Sequence, residues 1–353
     1  MSHQHNLYTV ESVTSGHPDK VCDQVSDAIL DACLAEDPAS RVAVETFGSH
    51  GRFYIGGEVT TKAKVDYAGI ARKVYKEIGY DNELDIQAHV IEQSPDIAMG
   101  VDTGGAGDQG IMYGFATDET PEFLPKGVVL VHQLTEGLEK LRKEGVVKWL
   151  RPDGKSQVTM LDGKIETILV STQHAEDVTQ EEIRQTLIDK LIVPLVGDVS
   201  KINIYINPTG KFVQGGFDAD TGLTGRKLMV DTYGGIILHG GGCFSGKDPS
   251  KVDRSAAYMC RYVAKNLVAN GFAKECLVSV AYAIGKAEPL MVEAIDENGK
   301  SLRDIAMKHF DFRPRSIMDT LKLRRPIYAQ TAKYGHFGKA GLPWEEIIKI
   351  EKA

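Results

Sequence analysis

The sequence predicts an α+β protein built from more than one module, on three observations. Segments with strand periodicity arrive in pairs, and the pairs alternate with amphipathic helices several times along the chain. The chain has 353 residues, more than one typical domain needs and enough for two or three. No low-complexity linker divides it. A doubly wound sheet would alternate single strands with helices, and that pattern is missing.

Taken in order, Pro18 to Glu36 is the first helix. Val21, Val25, Ile29 and Cys33 recur at helical spacing, Pro18 suits the first helical position, and Pro38 stops the run. Residues 41–47 and 53–60 alternate around Gly48-Ser49-His50-Gly51, which predicts a β-hairpin carrying Glu45 and Glu58. A helix over 67–78 and a strand over 86–92 follow. Residues 93–114 are glycine-rich and aperiodic, hold Asp96, Asp102 and Asp108, and begin as a mobile loop. Helical spacing returns from Val128 to Lys143.

Arg151-Pro152-Asp153-Gly154-Lys155 is expected as a turn into a strand over 157–160. Asp162-Gly163 is a hairpin turn into a strand over 165–170. Thr179 and Glu182 match a capping box that opens a helix to about Val193. Strands are expected over 201–206 and 211–213, then a loop from Gly215 to Lys227. Near the C-terminus, 276–284 and 290–294 are expected as strands, and 301–310 and 314–323 as helices.

Composition narrows the function. Hydrophobic residues make up 42% and charged residues 25%, ordinary for a soluble globular chain. A formal net charge of -8 argues against a general nucleic-acid binder, and no apolar run approaches membrane-spanning length. The five cysteines (Cys22, Cys33, Cys243, Cys260 and Cys276) contain no C-x2-C pair, which fits reduced thiols. The first residues lack the apolar core of a signal peptide, so a cytoplasmic protein is expected.

One stretch concentrates the chemistry. Asp231 to Asp253 carries glycines at 234, 235, 240, 241, 242 and 246, followed by Lys247, Asp248, Lys251 and Asp253. Glycine amides can approach an anion closely. Asp248-Pro249 is expected to cap and open a helix to about Asn270, with lysines at its mouth, as in a phosphate site. Gly241-x4-Gly246-Lys247 starts like a P-loop, but Asp248 stands where Ser or Thr must hold magnesium. That excludes an ordinary P-loop NTPase. The plainer alternative is a tight turn whose glycines serve only sterics. Lys20, Lys155, Arg226 and Lys227 also lie in glycine-bearing loops, with Asp19 and Asp108 among them. Together they point to a polyphosphate with metal ions.

Seven stretches then stand in a telling order: GHPDK at 16–20, GAGDQG at 105–110, RPDGKSQV at 151–158, INPTGKF at 206–212, GLTGRK at 222–227, HGGGCFSGKDPSKVDRSAAY at 239–258 and YGHFG at 334–338. Through them, and over nearly its whole length, the chain resembles the S-adenosylmethionine synthetase (methionine adenosyltransferase) family. The resemblance implies three similar α+β domains around a pseudo-threefold axis, with mixed sheets bearing helices on one face. We place these at 1–101, 104–213 and 215–346, with strands exchanged between them. It implies that ATP, L-methionine and water give S-adenosylmethionine, phosphate and pyrophosphate. It also implies Mg2+, two per site, and K+, and a homo-oligomer with its active site between two subunits.

The chemistry suits these residue types. A thioether sulfur has no proton to lose, so its attack on ribose C5′ needs no general base. The burden is alignment and stabilisation of a departing triphosphate. By resemblance, His17 assists departure, Asp19 and Asp253 hold Mg2+, and Glu45 holds K+. Lys155, Arg226, Lys227 and Lys247 grip the polyphosphate, with Lys20 supporting its loop among the ATP-binding residues. Phe212 stacks on adenine, and Asp108 stabilises charge developing on sulfur. Glu58, Gln93, Asp220 and Lys251 line the methionine pocket.

Three departures from the family pattern stand out. The loop between Asp96 and Gly107 is a few residues shorter than the usual gating loop, which bears on closure and turnover. Phe217-Asp218-Ala219-Asp220-Thr221 replaces a Pro-x-Gly-Asp pattern near the methionine and potassium residues. Cys243 stands where alanine is common, and would be oxidation-sensitive if its surroundings lowered its pKa. A kinase or ligase lacks its signatures here, and a catalytically dead subunit would have lost a key charge. Neither fits.

Overall fold

The protein is described from a computed structural model that covers residues 6–93 and 104–351. Three sheets form, and each borrows a strand from another part of the chain. The first has the order β4 (Asp85–Ile91), β3 (Arg52–Thr60), β2 (Arg41–Ser49), β9 (Gly222–Leu223). The second is β1 (Leu7–Val13), β6 (Leu150–Leu161), β7 (Lys164–His174), β8 (Asn203–Ile206). The third is β11 (Met291–Asp296), β10 (Glu275–Tyr282), β5 (Gly110–Thr117). Pairs β3–β4 and β7–β8 are parallel and the rest antiparallel, so the sheets are mixed. The N-terminal strand joins the middle sheet, a middle strand joins the last, and a late strand joins the first. That exchange is cyclic, as a threefold-like arrangement requires.

One long helix covers each sheet. Helix α1 (Pro18–Glu36) packs on β2 and β9, α3 (Lys126–Lys143) on β6 and β1, and α5 (Val252–Ala269) on β5 and β10. The shorter α2 (Tyr67–Ile78) lies beside α1, and α4 (Gln180–Leu187) belongs to the middle module. Sequence chemistry explains the starts. His17 caps α1 through Nδ1 with Pro18 in the first position, and Thr179 caps α4 by accepting from the Glu182 N–H at 3.2 Å. A π-helical stretch, Ile188–Ile192, and a last turn, Val193–Val196, carry α4 past its expected end. Apolar residues of α1 and α5 share one core, and those of α3, β6 and β7 form a second.

Three local expectations need correction. Arg151 to Lys155 is not a turn but part of β6, which slips register between Leu150 and Gly154 against β7. Pairs with β7 at Leu150 and Gly154 flank the Pro-Asp-Gly segment, and on the other edge Thr14 donates to the Pro152 and Gly154 carbonyls, which holds it extended. Residues 211–213 form no strand; His174 alone pins Phe212, donating its N–H to the Phe212 carbonyl at 2.9 Å and accepting the Phe212 N–H on Nε2 at 3.0 Å. Helix α5 opens at Val252, after Lys251, rather than at Pro249. Asp248 is held elsewhere: its carboxylate accepts from the Val42 and Ser250 N–H groups at 2.7 and 2.8 Å, and its own N–H donates to the Val42 carbonyl.

Candidate active site

The start of α1 gathers the first group of charges. His17 is 4% exposed, and its Nδ1 accepts the Asp19 N–H at 3.2 Å. That bond leaves Nε2 to carry the ring proton. Burial, then Lys227, Lys155, Lys20 and Arg226, push the His17 pKa down to about 2, so the imidazole is neutral. Asp19 is 1% exposed and accepts the Leu223 N–H on Oδ1 at 2.9 Å. Lys227 Nζ lies 2.5 Å from Asp19 Oδ2 and Arg226 Nε 3.3 Å from Oδ1. Lys155 is exposed on β6, opposite Val13, one strand from the loop that carries His17. Here the structure joins His17, Asp19, Lys155, Arg226 and Lys227.

Lys20 belongs to the same stretch but offers no surface. Its ammonium is fully buried between Asp23 at 2.9 Å and Asp231 at 2.5 Å. The two carboxylates outweigh burial and hold it charged. Asp23 in turn accepts the Gly225 N–H at 2.8 Å, next to Arg226. Lys20 is therefore placed as support for the loop rather than as a group that can touch a solute.

The glycine-rich stretch supplies a second group. Lys247 and Asp253 pair at 2.5 Å, both about one-fifth exposed, and Lys251 pairs with Asp248. Some of its glycines are fixed by close packing. A Cβ on Gly240 would fall 1.6 Å from the Ile111 carbonyl, and Gly246 sits at φ 80° with its N–H donated to Asp27 Oδ1 at 2.9 Å. Gly241, by contrast, sits at φ 96° with nothing within 4 Å of an added Cβ, so packing does not account for every glycine of the stretch. The two groups meet where Gly225 faces Cys243, which leaves no room for a Cβ on that glycine. Burial raises the Cys243 pKa despite Lys247, so the thiol stays protonated, against the condition set for oxidation sensitivity.

The remaining candidates divide. Register pairs Ala43 with Glu58 and Glu45 with Gly56, so Glu45 and Glu58 share the outer face of the first sheet. Lys247 bridges to Ala43 from the other edge of β2, two strand spacings from Glu58. Exposed Phe47, Tyr54, Leu223 and Ile91 surround the two acids on that face. Asp108 and Asp220 are exposed, and each accepts the N–H of its next residue at 2.7 Å. Phe212 and Gln93 are half-buried. Asp96, Asp102 and Thr103, with most of the shortened loop, lie outside the described residues.

Two features escaped the sequence reading. Asp153 is buried beside Lys155, with Oδ2 on the Gly216 N–H at 2.9 Å and Oδ1 without a partner among the described residues. Burial raises its pKa to about 6. Its place in RPDGK was the available signal. Arg254 and Asp27 pair behind Lys247, and no local pattern announces that contact. Among the described residues no three His, Cys, Asp or Glu side chains converge on one point. Asp19 and Asp253 are single carboxylates beside cations, a donor set that suits Mg2+ entering with phosphate oxygens rather than a closed protein cage.

Comparison with known proteins agrees along the whole chain. Models of the S-adenosylmethionine synthetase N-terminal, central and C-terminal domains match residues 5–97, 103–212 and 214–346. The S-adenosylmethionine synthase of Treponema denticola is 49% identical over 383 residues, covering 99% of this chain and 98% of the relative. That of Pseudothermotoga lettingae is 50% identical over 388 residues, covering 98% of each. That of Staphylococcus epidermidis is 49% identical over 389 residues, covering 99% and 98%. With every module matched and half the residues shared, the chain belongs to the S-adenosylmethionine synthetase family of transferases.

Proposed function

We propose that this chain, a methionine adenosyltransferase by family, makes S-adenosyl-L-methionine by attack of the methionine sulfur on C5′ of ATP, then hydrolyses the bound triphosphate to phosphate and pyrophosphate. The carrying observation is a neutral histidine, His17, among cations, with Lys227 and Arg226 held on Asp19, and a further cation, Lys247, held on Asp253 in the glycine-rich stretch. A triphosphate carries more charge than either carboxylate and can draw those cations onto itself. His17, neutral with its proton on Nε2, would donate a hydrogen bond to the leaving oxygen rather than transfer a proton. Lys155 and Lys247 would grip the polyphosphate, and Lys20 would hold its loop.

Asp19 and Asp253 would hold Mg2+, and Glu45 would hold K+. Bound Mg2+ supplies charge neutralisation to the polyphosphate. Asp108 would face the developing sulfonium, Phe212 the adenine, and Glu58, Gln93, Asp220 and Lys251 the methionine. The exposed apolar residues around Glu45 and Glu58 support a homo-oligomer in which that face is shared between subunits. Among the described residues no helix is long and apolar enough to cross a membrane, and all five cysteines are free thiols, which suits a reducing cytoplasm. Mass spectrometry of protein with ATP, L-methionine, Mg2+ and K+ tests the reading. Methionine-dependent S-adenosylmethionine with equal phosphate and pyrophosphate, lost in Lys247→Ala, supports it; ADP or AMP without the sulfonium product overturns it.

A further inference from the structure

A cavity of about 280 Å³ opens between the loop after α1, the Asp248–Ser250 segment and the helix α7 (Pro314–Thr320), which follows α6 (Arg303–His309). Arg41, Arg315 and Arg324 all line it, with Ser40 and Ser250 between them. Arg315 and Arg324 are exposed, and their side chains make no hydrogen bond or ion pair among the described residues. Two unmatched guanidinium groups on one cavity are notable in a chain of net charge -8, where acids outnumber bases. Among the described residues the one acid on the wall, Asp248, is already matched: its carboxylate accepts from the Val42 and Ser250 N–H groups and pairs with Lys251. The described wall therefore carries net positive charge, on guanidinium groups whose forked donors suit phosphate oxygens.

We propose that this cavity binds a small phosphate-bearing anion, separately from the polyphosphate site above. Its volume is at the low end for small-molecule sites and suits one or two phosphoryl groups rather than a whole nucleotide. Arg315 and Arg324 would clamp the anion. None of the residues assigned to the polyphosphate lines the cavity; Asp248, on its wall, pairs with Lys251. The proposal does not depend on the reaction proposed above.

Calorimetric titration of the full chain with inorganic phosphate and, separately, pyrophosphate tests it. Two pyrophosphate sites are expected in the wild type. Lys247→Ala should retain the site described here, whereas Arg315→Ala with Arg324→Ala should weaken it by about tenfold or more. Tighter pyrophosphate than phosphate binding would identify a diphosphate group, and equal binding a single phosphoryl group. A double variant that binds both anions with wild-type stoichiometry and affinity would overturn the proposal. A second measurement needs no variant: pyrophosphate should slow phenylglyoxal modification of Arg315 and Arg324, read peptide by peptide. Unslowed modification of both would equally overturn it.

Discussion

Asp27 and Arg254 form a fully buried two-pronged ion pair, with contacts of 2.7 and 2.8 Å, that ties α1 to α5. The same two side chains also hold the tip of the glycine-rich stretch. Asp27 Oδ1 accepts the Gly246 N–H at 2.9 Å, and Arg254 donates to the Lys247 carbonyl at 3.1 Å. The Arg254 guanidinium lies 4.2 Å from the centre of the Tyr328 ring, so its apolar face is covered as well. Lys247 owes its position to a pair that never meets solvent.

Breaking that pair should therefore damage both stability and the site. Asp27→Ala leaves a buried guanidinium without its anion, and a cost of about 3–5 kcal/mol is expected. Urea denaturation followed by circular dichroism measures it. Asp27→Asn, which keeps an acceptor for Gly246, should cost less than Asp27→Ala. Equal stability of Asp27→Ala and wild type would show that the pair contributes nothing net.

The state of His17 is a second prediction. With its pKa near 2 and Nδ1 engaged by Asp19, the ring should show the neutral Nε2–H tautomer across pH 5 to 8 in NMR spectra of the imidazole nitrogens. His17→Ala removes a donor to the leaving oxygen and should lower kcat by roughly 10²–10³-fold. An imidazole titrating near its ordinary value would contradict the assigned role.

Buried neutral histidines also set the acid limb of stability. His132 is held near 3 and His336 well below the ordinary range, both by burial first and nearby cations second. Each binds a proton in the unfolded chain at about pH 6.5 but not in the fold. Stability should thus be intact above that value and fall as pH drops below it. Asp31 and Asp153, raised to about 6 by burial, take up protons earlier in the fold than in the unfolded chain and offset part of the fall. The loss between pH 7.5 and 5.5 should be about 1 kcal/mol smaller in His132→Gln, as measured by urea midpoints at the two values.

How much of this was legible in the sequence depends on distance along the chain. Helix α1 was, because Pro18 and the Val21–Val25–Ile29–Cys33 spacing are local signals. The hairpin carrying Glu45 and Glu58 was as well, since alternation and a turn define it. The cyclic exchange of β1, β5 and β9 was not derivable from spacing, because each strand finds its partner far away; Val13 pairs with Lys155 and Gly48 with Gly222. Asp27 and Arg254 are separated by 227 positions, and neither carries a mark of its partner. Pro-Asp-Gly at 152–154 misled because its turn chemistry is overridden by strands on both sides. At Cys243 the sequence showed a nearby lysine, but burial outweighs it.

The pairing of lysines with acids leads to a last prediction. Lys247 is held on Asp253 at 2.5 Å, and that carboxylate helps keep it charged against burial. Before a polyphosphate can use Lys247, that contact must open. Without metal, Asp253 then faces the incoming anion with its charge unmatched, which opposes binding. Asp253→Asn removes that repulsion and frees the lysine, so metal-free tripolyphosphate should bind the variant about tenfold more tightly than wild type, or about 1.4 kcal/mol. With Mg2+ present the order should reverse, because the wild-type carboxylate then faces a cation while the amide holds it poorly. Calorimetric titration of tripolyphosphate with and without Mg2+ reads both arms. If Asp253→Asn weakens binding equally in the two conditions, the carboxylate positions Lys247 and is not a metal ligand.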